Sequence, residues 1–460
     1  MTIIKSISGI RGTIGGKQNE NLTPIDAVKY AASFGVYLKN KYPDKKIKIV
    51  IGRDARISGK MIQGLVQNTL IALGIDCLDI GLSSTPTVEL AVQNENAFGG
   101  IIITASHNPK NWNALKLLNN RGEFISSYDG DKILSIADSN NFNFSTIDDL
   151  GSIKLNSSYI NYHIEKVLNL HYTNIDEIKK SNFKVVFDGV SSSGGIIIPE
   201  LLNKLGVNCI PIYCDPTGEF PHNPEPLAEN LTDLSRAVIS NNADLGIAVD
   251  PDVDRLAFVD ENGKMFGEEY TLVACADYIL SKKTGNTVSN LSSSLALSKI
   301  TQKYSGKYFF SAVGEVNVVD LMKKTNAIIG GEGNGGVILP ELHYGRDAIV
   351  GVALFLSLLA ERKLKVSELK NSYPQYYSIK DKISLKPNMN IDNMLSKIES
   401  KYKDQNPITI DGIKINFDNS WVHLRKSNTE PIIRIYSEAT SLKKANDISK
   451  KFIGELEKLI

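Results

Sequence analysis

The segment Asp250-Pro251-Asp252-Val253-Asp254-Arg255 sets three carboxylates at alternate positions. Alternate side chains of an extended backbone share one face, so these acids repel one another unless a cation lies among them. Hard oxygen donors suit Mg2+ or Ca2+, and Arg255 beside them suits a phosphate oxygen. An EF-hand counted from Asp250 puts Glu261 at its twelfth position, which fits, but Arg255 at the sixth, where the turn needs glycine. Its flanks read as strands, so the EF-hand fails. A solvated acidic turn is the plain alternative. The apolar stretches 245–249 and 256–259, which enter and leave the loop, weigh against it.

Three further loops carry chemistry-bearing residues. Thr104-Ala105-Ser106-His107-Asn108-Pro109 directly follows the apolar run 98–104. Ligands of α/β sheets collect beyond the carboxyl ends of strands, which puts Ser106 at the mouth of a site. His107 can hydrogen-bond a phosphoryl oxygen there. Lys116 serves as a proton donor or acceptor if burial depresses its pKa. Taken alone, the segment reads better as an ordinary Ser/Asn/Pro turn. Gly331-Glu332-Gly333-Asn334-Gly335-Gly336 satisfies a dinucleotide-binding pattern, but Val337-Ile338-Leu339-Pro340 follows where a helix should open. Glu332 and Asn334 suit sugar hydroxyls better, because carboxylates accept from adjacent OH groups. In Arg425-Lys426-Ser427-Asn428-Thr429-Glu430-Pro431, a guanidinium, two hydroxyls, an amide and free backbone N–H groups can wrap a phosphate dianion. That makes a second phosphate site, far in sequence from the serine and acid loops.

These loops need strands and helices to hold them. Thr23-Pro24-Ile25-Asp26 reads as a helix start with proline at the first helical position. Residues 46–51 read as a strand ending in Gly52-Arg53-Asp54-Ala55-Arg56, and 60–73 as a helix with Gly74 at its C-terminal end. The continuous apolar run 98–104 reads as a strand covered on both faces. A strand entering a small-residue loop recurs at 183–189 before Ser191-Ser192-Ser193, and at 287–291 before Ser292-Ser293-Ser294. That recurrence implies similar α/β units in series. The last stretch is Lys/Asn-rich, with strands at 412–417 and 432–436 and a final amphipathic helix. It reads as a separate α+β domain entered near the polar stretch 370–373.

The bulk properties bound the answer. At 460 residues the chain is too long for one core and implies three or four domains. A net charge of +1 and no basic block give no electrostatic case for nucleic acid or anionic membrane. The four cysteines form no CxxC pair and read as reduced thiols. The first residues reach Arg11 without the apolar core of a signal peptide. The longest apolar run, 348–360, is too short to span a bilayer and reads as a buried helix. The expectation is a cytoplasmic enzyme with no membrane partner.

The four loops, in this order, resemble those of the α-D-phosphohexomutase superfamily, over the whole chain from Ser8-Gly9-Ile10-Arg11-Gly12 to the Arg425 loop. The resemblance implies three similar α/β domains with mixed sheets between helices, plus a smaller C-terminal α+β domain, around a central cleft. The expected boundaries are 1–150, 151–255, 256–372 and 373–460. Ser106 looks like the family's phosphoserine, and Asp250, Asp252 and Asp254 like ligands of one Mg2+ whose shell the serine phosphate completes. Arg11 and Lys116 look like the proton-transfer pair, with His107 beside the serine. Arg255, Gly314, Glu332, Asn334, Arg425, Ser427, Asn428 and Thr429 look like the substrate-binding set. Many members carry Glu-x-Ser-Gly-His at the sugar loop. The form here, Glu332-Gly333-Asn334-Gly335-Gly336, resembles archaeal-like members and some bacterial phosphoglucosamine mutases. Ala114 stands where glycine is common. The implied activity is interconversion of hexose 6-phosphate and 1-phosphate through a hexose bisphosphate, by a monomer or homodimer. Glucosamine phosphate is the expected sugar, with mannose and glucose phosphates as alternatives. Outside this class the rivals are a magnesium-dependent sugar phosphatase and a non-catalytic phosphosugar-binding protein. A pure binder has no need of the serine, the three aspartates and Lys116 together.

Overall fold

The computed structural model describes residues 2–6, 9–385, 389–426 and 432–459. It divides into two units, Met1–Thr271 with Asn334–Ser367 and Leu272–Gly333 with Glu368–Ile460.

In the first unit a seven-stranded mixed sheet runs in the order Ile4–Ser6, Gly9–Thr13, Trp112–Leu118, Gly99–Ile103, Lys48–Arg53, Asp76–Leu82, Ile153–Leu155. Gly99–Ile103 is parallel to Lys48–Arg53 and antiparallel to Trp112–Leu118. All five of its residues are buried, as a continuous apolar run requires when helices cover both faces. Ile101, Ile103, Leu115 and Leu117 share one core with Ala27, Tyr30, Phe34 and Leu38 of the helix Pro24–Lys41. That helix begins where Thr23 and Asp26 cap each other reciprocally, the side chain of each accepting from the other's backbone N–H. Gly9 has φ +113, and a Cβ there would fall 2.2 Å from Leu115 O, so only glycine lets Gly9–Thr13 lie this close to the strand bearing Lys116.

A second sheet of the same unit has the order Leu256–Val259, Leu245–Val249, Lys184–Asp188, Asn208–Ile212. Its first pair is antiparallel and the rest are parallel. The aspartate loop is the connection between the two antiparallel strands, both buried throughout.

In the second unit Asn286–Asn290 pairs in parallel with both Tyr308–Ser311 and Ala327–Glu332. An antiparallel sheet follows in the order Tyr377–Ser384, Ile432–Ala439, Ser420–Lys426, Ile413–Phe417. The helices Ile391–Lys401 and Leu442–Glu457 accompany it, and Ile398, Ile415, Leu424, Ile435 and Phe452 close its core. This is the multi-domain α/β fold with mixed sheets that the resemblance implies. The polar stretch read as the entry to the last part is partly helical, because Val366–Asn371 extends into it. The run at 348–360 is the buried helix Ala348–Arg362. No helix among the described residues is long and apolar enough to cross a membrane.

Candidate active site and metal centre

Ser106 sits in the turn beyond Gly99–Ile103, is 4% exposed, and has φ +49. Few non-glycine residues adopt this left-handed conformation, and it needs surrounding structure to hold it. Thr104 Oγ1 accepts from Ser106 N at 2.9 Å. Arg56 supplies the larger restraint. Its buried guanidinium donates to the carbonyls of Asn108 (2.6 Å), Pro109 (2.7 Å) and Trp112 (3.0 Å), and to that of Ser106. Asp54 anchors it through Nε at 3.0 Å.

The Ser106 hydroxyl donates to Asp250 Oδ2 at 2.6 Å. His107 Nδ1 lies 3.3 Å from Ser106 Oγ, and its Nε2 lies 3.4 Å from Arg255 Nη2. An arginine can only donate, so Nε2 accepts and the His107 proton sits on Nδ1, facing the serine. Burial, and then the charges of Arg255, Arg11 and Arg346, keep this imidazole well below its ordinary pKa, hence neutral. Arg11, on the strand Gly9–Thr13, donates to Asn108 Oδ1 at 3.2 Å.

The three aspartates are fully buried, and one carboxylate oxygen from each lies within 4.8 Å of the others. Asp250 Oδ1 accepts from the backbone N–H of Asp254 and Arg255, each at 3.1 Å, which folds the loop back on itself. Asp252 Oδ2 takes Thr85 Oγ1 at 2.5 Å and Lys116 Nζ at 2.6 Å. Asp254 Oδ2 takes Arg346 Nη2 at 2.7 Å, with Lys116 Nζ at 3.5 Å. Asp252 Oδ1 and Asp254 Oδ1 are buried with no hydrogen-bond partner. Two orphaned carboxylate oxygens beside a third carboxylate fit a hard divalent cation of the Mg2+ type. Burial and the charges of Asp254 and Asp252 push the Asp250 carboxyl well above the ordinary range. Burial opposes ionisation of Asp252 too, but Lys116 and Thr85 hold it below that range.

Lys116 requires a correction. Burial does lower its pKa, as expected, but the Asp252 and Asp254 charges outweigh burial and raise it above the ordinary value. Arg255 donates through Nη1 to Glu225 Oε1 at 2.8 Å. The structure therefore brings together Ser106, His107, Arg11, Lys116, Arg255 and the three aspartates. Sequence reasoning missed Arg56, Thr85, Arg346 and Glu225.

In the second unit Glu332 Oε1 accepts from Asn290 Nδ2 at 2.8 Å and from Gly314 N at 3.1 Å. Asn290 and Glu332 end neighbouring parallel strands, and Gly314, with φ +115, precedes the helix Glu315–Thr325. This is the carboxyl-end position where α/β sheets bind ligands. Asp411 links it to Arg425, accepting from Val313 N at 3.0 Å and lying 3.4 Å from Arg425 Nε. Ser427, Asn428 and Thr429 lie outside the described residues. Asn334, in the first unit, accepts from Gly336 N at 3.2 Å within its own turn.

Four family models match in order. They are phosphoglucomutase/phosphomannomutase alpha/beta/alpha domain I over residues 3–144, domain II over 159–263, domain III over 267–377, and the C-terminal domain over 382–455. The chain is 35% identical over 455 residues to a phosphoglucomutase/phosphomannomutase of Thermococcus kodakarensis, covering 98% of each. It is 31% identical over 462 residues to a phosphoglucosamine/phosphogalactosamine mutase of Sulfurisphaera tokodaii, again covering 98% of each. Its fold is similar to that of a phosphoglucomutase/phosphomannomutase family protein from Burkholderia thailandensis, with a TM-score of 0.85 at 24% identity over 99% of this chain and 98% of that one. An aspartate cage closing on a buried serine and four consecutive domain matches point the same way: the chain belongs to the phosphoglucomutase/phosphomannomutase family of the α-D-phosphohexomutase superfamily, and it is an isomerase of the phosphohexomutase class.

Proposed function

We propose that the chain moves a phosphoryl group between O6 and O1 of a hexosamine phosphate, with phospho-Ser106 as donor and acceptor. The observation that carries this is the bond from Ser106 Oγ to Asp250, beside the two orphaned oxygens of Asp252 and Asp254. In the forward half-reaction the Ser106 O–P bond breaks and a bond forms from phosphorus to the free sugar hydroxyl. The hydroxyl gives up its proton and the serine oxygen regains one. Arg11 and Lys116 are the assigned proton carriers, and the raised pKa of Lys116 suits it to giving a proton to the serine oxygen rather than to taking one from the sugar hydroxyl. Phosphate monoesters cleave very slowly in water, so the site must offset negative charge on the transferring group. Bound to Asp250, Asp252 and Asp254, Mg2+ would neutralise part of that charge. Arg255 and the proton on His107 Nδ1 supply the protein's own share.

The product of this half-reaction is a hexose bisphosphate, which must turn around before its other phosphate can return to Ser106. Glu332 and Gly314 are assigned to the sugar and Arg425 with residues 427–429 to the phosphate that does not react. Ring hydroxyls three and four nearly exchange places in such a turn, so one carboxylate can serve both orientations.

Glucosamine phosphate is the preferred substrate in this reading, on the glycine-rich form of the sugar loop. Intact-mass measurement of the purified chain tests the core of it: a phosphate adduct absent in Ser106→Ala supports the reading, and an adduct retained there refutes it. Initial rates on glucosamine, mannose and glucose phosphates side by side test the sugar. Free phosphate released as fast as isomer forms would make the chain a phosphatase instead.

A further inference from the structure

Thr87, Glu89, His163, His343 and Asp347 form a buried polar cluster that the proposed chemistry leaves unused. His163 Nδ1 lies 2.9 Å from Thr87 Oγ1, and its Nε2 lies 2.9 Å from Asp347 Oδ2. His343 Nε2 lies 3.1 Å from the same Asp347 oxygen, and its Nδ1 lies 3.1 Å from Glu89 Oε2. Asp347 Oδ1 caps the helix Ala348–Arg362, accepting from Ile349 N at 2.8 Å. The packing is close enough that a Cβ on Gly345 would fall 1.8 Å from Glu89 Oε2. Burying two carboxylates and two imidazoles is costly unless each charge finds a partner.

The location of the cluster gives it a role. Each side of it is one or two residues from a contact to the aspartate loop. Thr85, two residues before Thr87, donates to Asp252 through its N–H at 2.9 Å and its hydroxyl at 2.5 Å. Arg346, next to Asp347, donates to Asp254 Oδ2 at 2.7 Å, and Ala348 N donates to Val253 O at 3.1 Å. The aspartate loop is thus gripped from the helix Thr85–Asn94 on one side and the start of Ala348–Arg362 on the other. The histidine cluster fastens those two grips to each other.

We infer that Glu89, His163, His343 and Asp347 are positioning residues that lock Thr85 and Arg346 onto the Oδ2 atoms of Asp252 and Asp254, leaving both Oδ1 atoms to the cation. The inference rests on the metal-loop reading above. His163, His343 and Asp347 also have donor types a transition metal could use. Both imidazoles, however, already share one Asp347 oxygen, and no ion is needed to account for the contacts.

The test is calorimetric titration of Mn2+ into the full-length, dephosphorylated, metal-stripped protein. Glu89→Gln keeps the side chain's size, His343→Gln removes the imidazole, and Thr87→Val is a milder change that removes only the His163 Nδ1 partner. The expected result is a dissociation constant raised about 10-fold, the usual effect of losing support behind metal ligands. Activity should recover at higher Mg2+ with the KM for sugar phosphate unchanged. An unchanged Mn2+ affinity in all three variants, whatever their melting temperatures, would overturn the inference. So would a chelator-resistant transition metal in the wild type that His163→Gln abolishes. If the wild type shows no Mn2+ site that Asp252→Asn removes, the metal-loop reading itself fails and the inference falls with it. That outcome differs from a wild type that binds normally beside variants that bind equally well.

Discussion

Ser106 and Asp250 are joined by a 2.6 Å hydrogen bond although 144 residues separate them in the chain. The hydroxyl is therefore seated against the acidic loop before any phosphate arrives. The remaining Asp250 oxygen is held by two backbone N–H groups, so an asparagine there can keep the loop's shape.

Asp250→Asn should accordingly have opposite effects on stability and activity. Without metal, Asp250 is raised by burial and by its two acidic neighbours. A carboxyl raised on folding contributes stability at low pH and loses it as pH rises. Removing its charge should raise the melting temperature of chelator-treated protein near neutral pH. The further rise that Mg2+ gives the wild type should disappear. Mutase activity should fall about 1,000-fold, the equivalent of a few kcal/mol of transition-state stabilisation. Paired thermal scans with and without Mg2+, and initial rates, check each part.

Arg56→Lys should cost far more than a change of one cation for another suggests. The lysine keeps the charge but not the planar fork that reaches Asp54 and four carbonyls at once. Each buried carbonyl left without its donor costs about 1–3 kcal/mol. Denaturant titration should show that loss, and intact mass should show less phosphate on Ser106.

In the proposed function the same carboxylate serves the sugar in both orientations, so Glu332→Gln should slow the forward and reverse reactions by similar factors. Its anchoring by Asn290 and Gly314 keeps it in place throughout. Rates measured from the 6-phosphate and from the 1-phosphate check this, and a loss confined to one direction would contradict it.

His343 should impose a pH dependence on stability that is independent of catalysis. Burial lowers its pKa, but Asp347 and Glu89 outweigh burial and raise it from 6.5 to about 10. Asp347 is also shared with His163, the other titratable group facing it. A histidine raised on folding contributes stability that is full below pH 6.5 and falls progressively as pH rises toward about 10. His343→Gln should be less stable at pH 6 and show a flatter decline between pH 7 and 10. Denaturant midpoints across that range check the slope.

The parts legible in the sequence were those encoded by neighbouring residues. The strands Leu245–Val249 and Leu256–Val259 stand out because buried apolar runs end abruptly at acids. The start of Pro24–Lys41 is legible because Thr23, Pro24 and Asp26 form a cap within four positions. The three aspartates declare themselves by alternation. Arg56, Thr85, Arg346 and Asn290 do not, because their partners are distant: Ser106 O is 50 residues from Arg56, and Asp252 is 167 from Thr85. No spacing rule connects such pairs. The direction of the Lys116 shift was hidden for the same reason, since burial alone lowers it and only the folded arrangement brings two acids to its ammonium.

If Ser106 carries the phosphoryl group as proposed, the clamp that Arg56 places on the carbonyls at 106, 108, 109 and 112 holds that arm in place between half-reactions. In the proposed cycle a fixed arm leaves the sugar as the moving part, so each turnover is a race between its tumbling and its escape. A looser arm would follow the ligand outward and lengthen the odds of re-engagement. Weakening the clamp should therefore convert a self-sustaining catalyst into one that stalls unless bisphosphate is fed to it from solution.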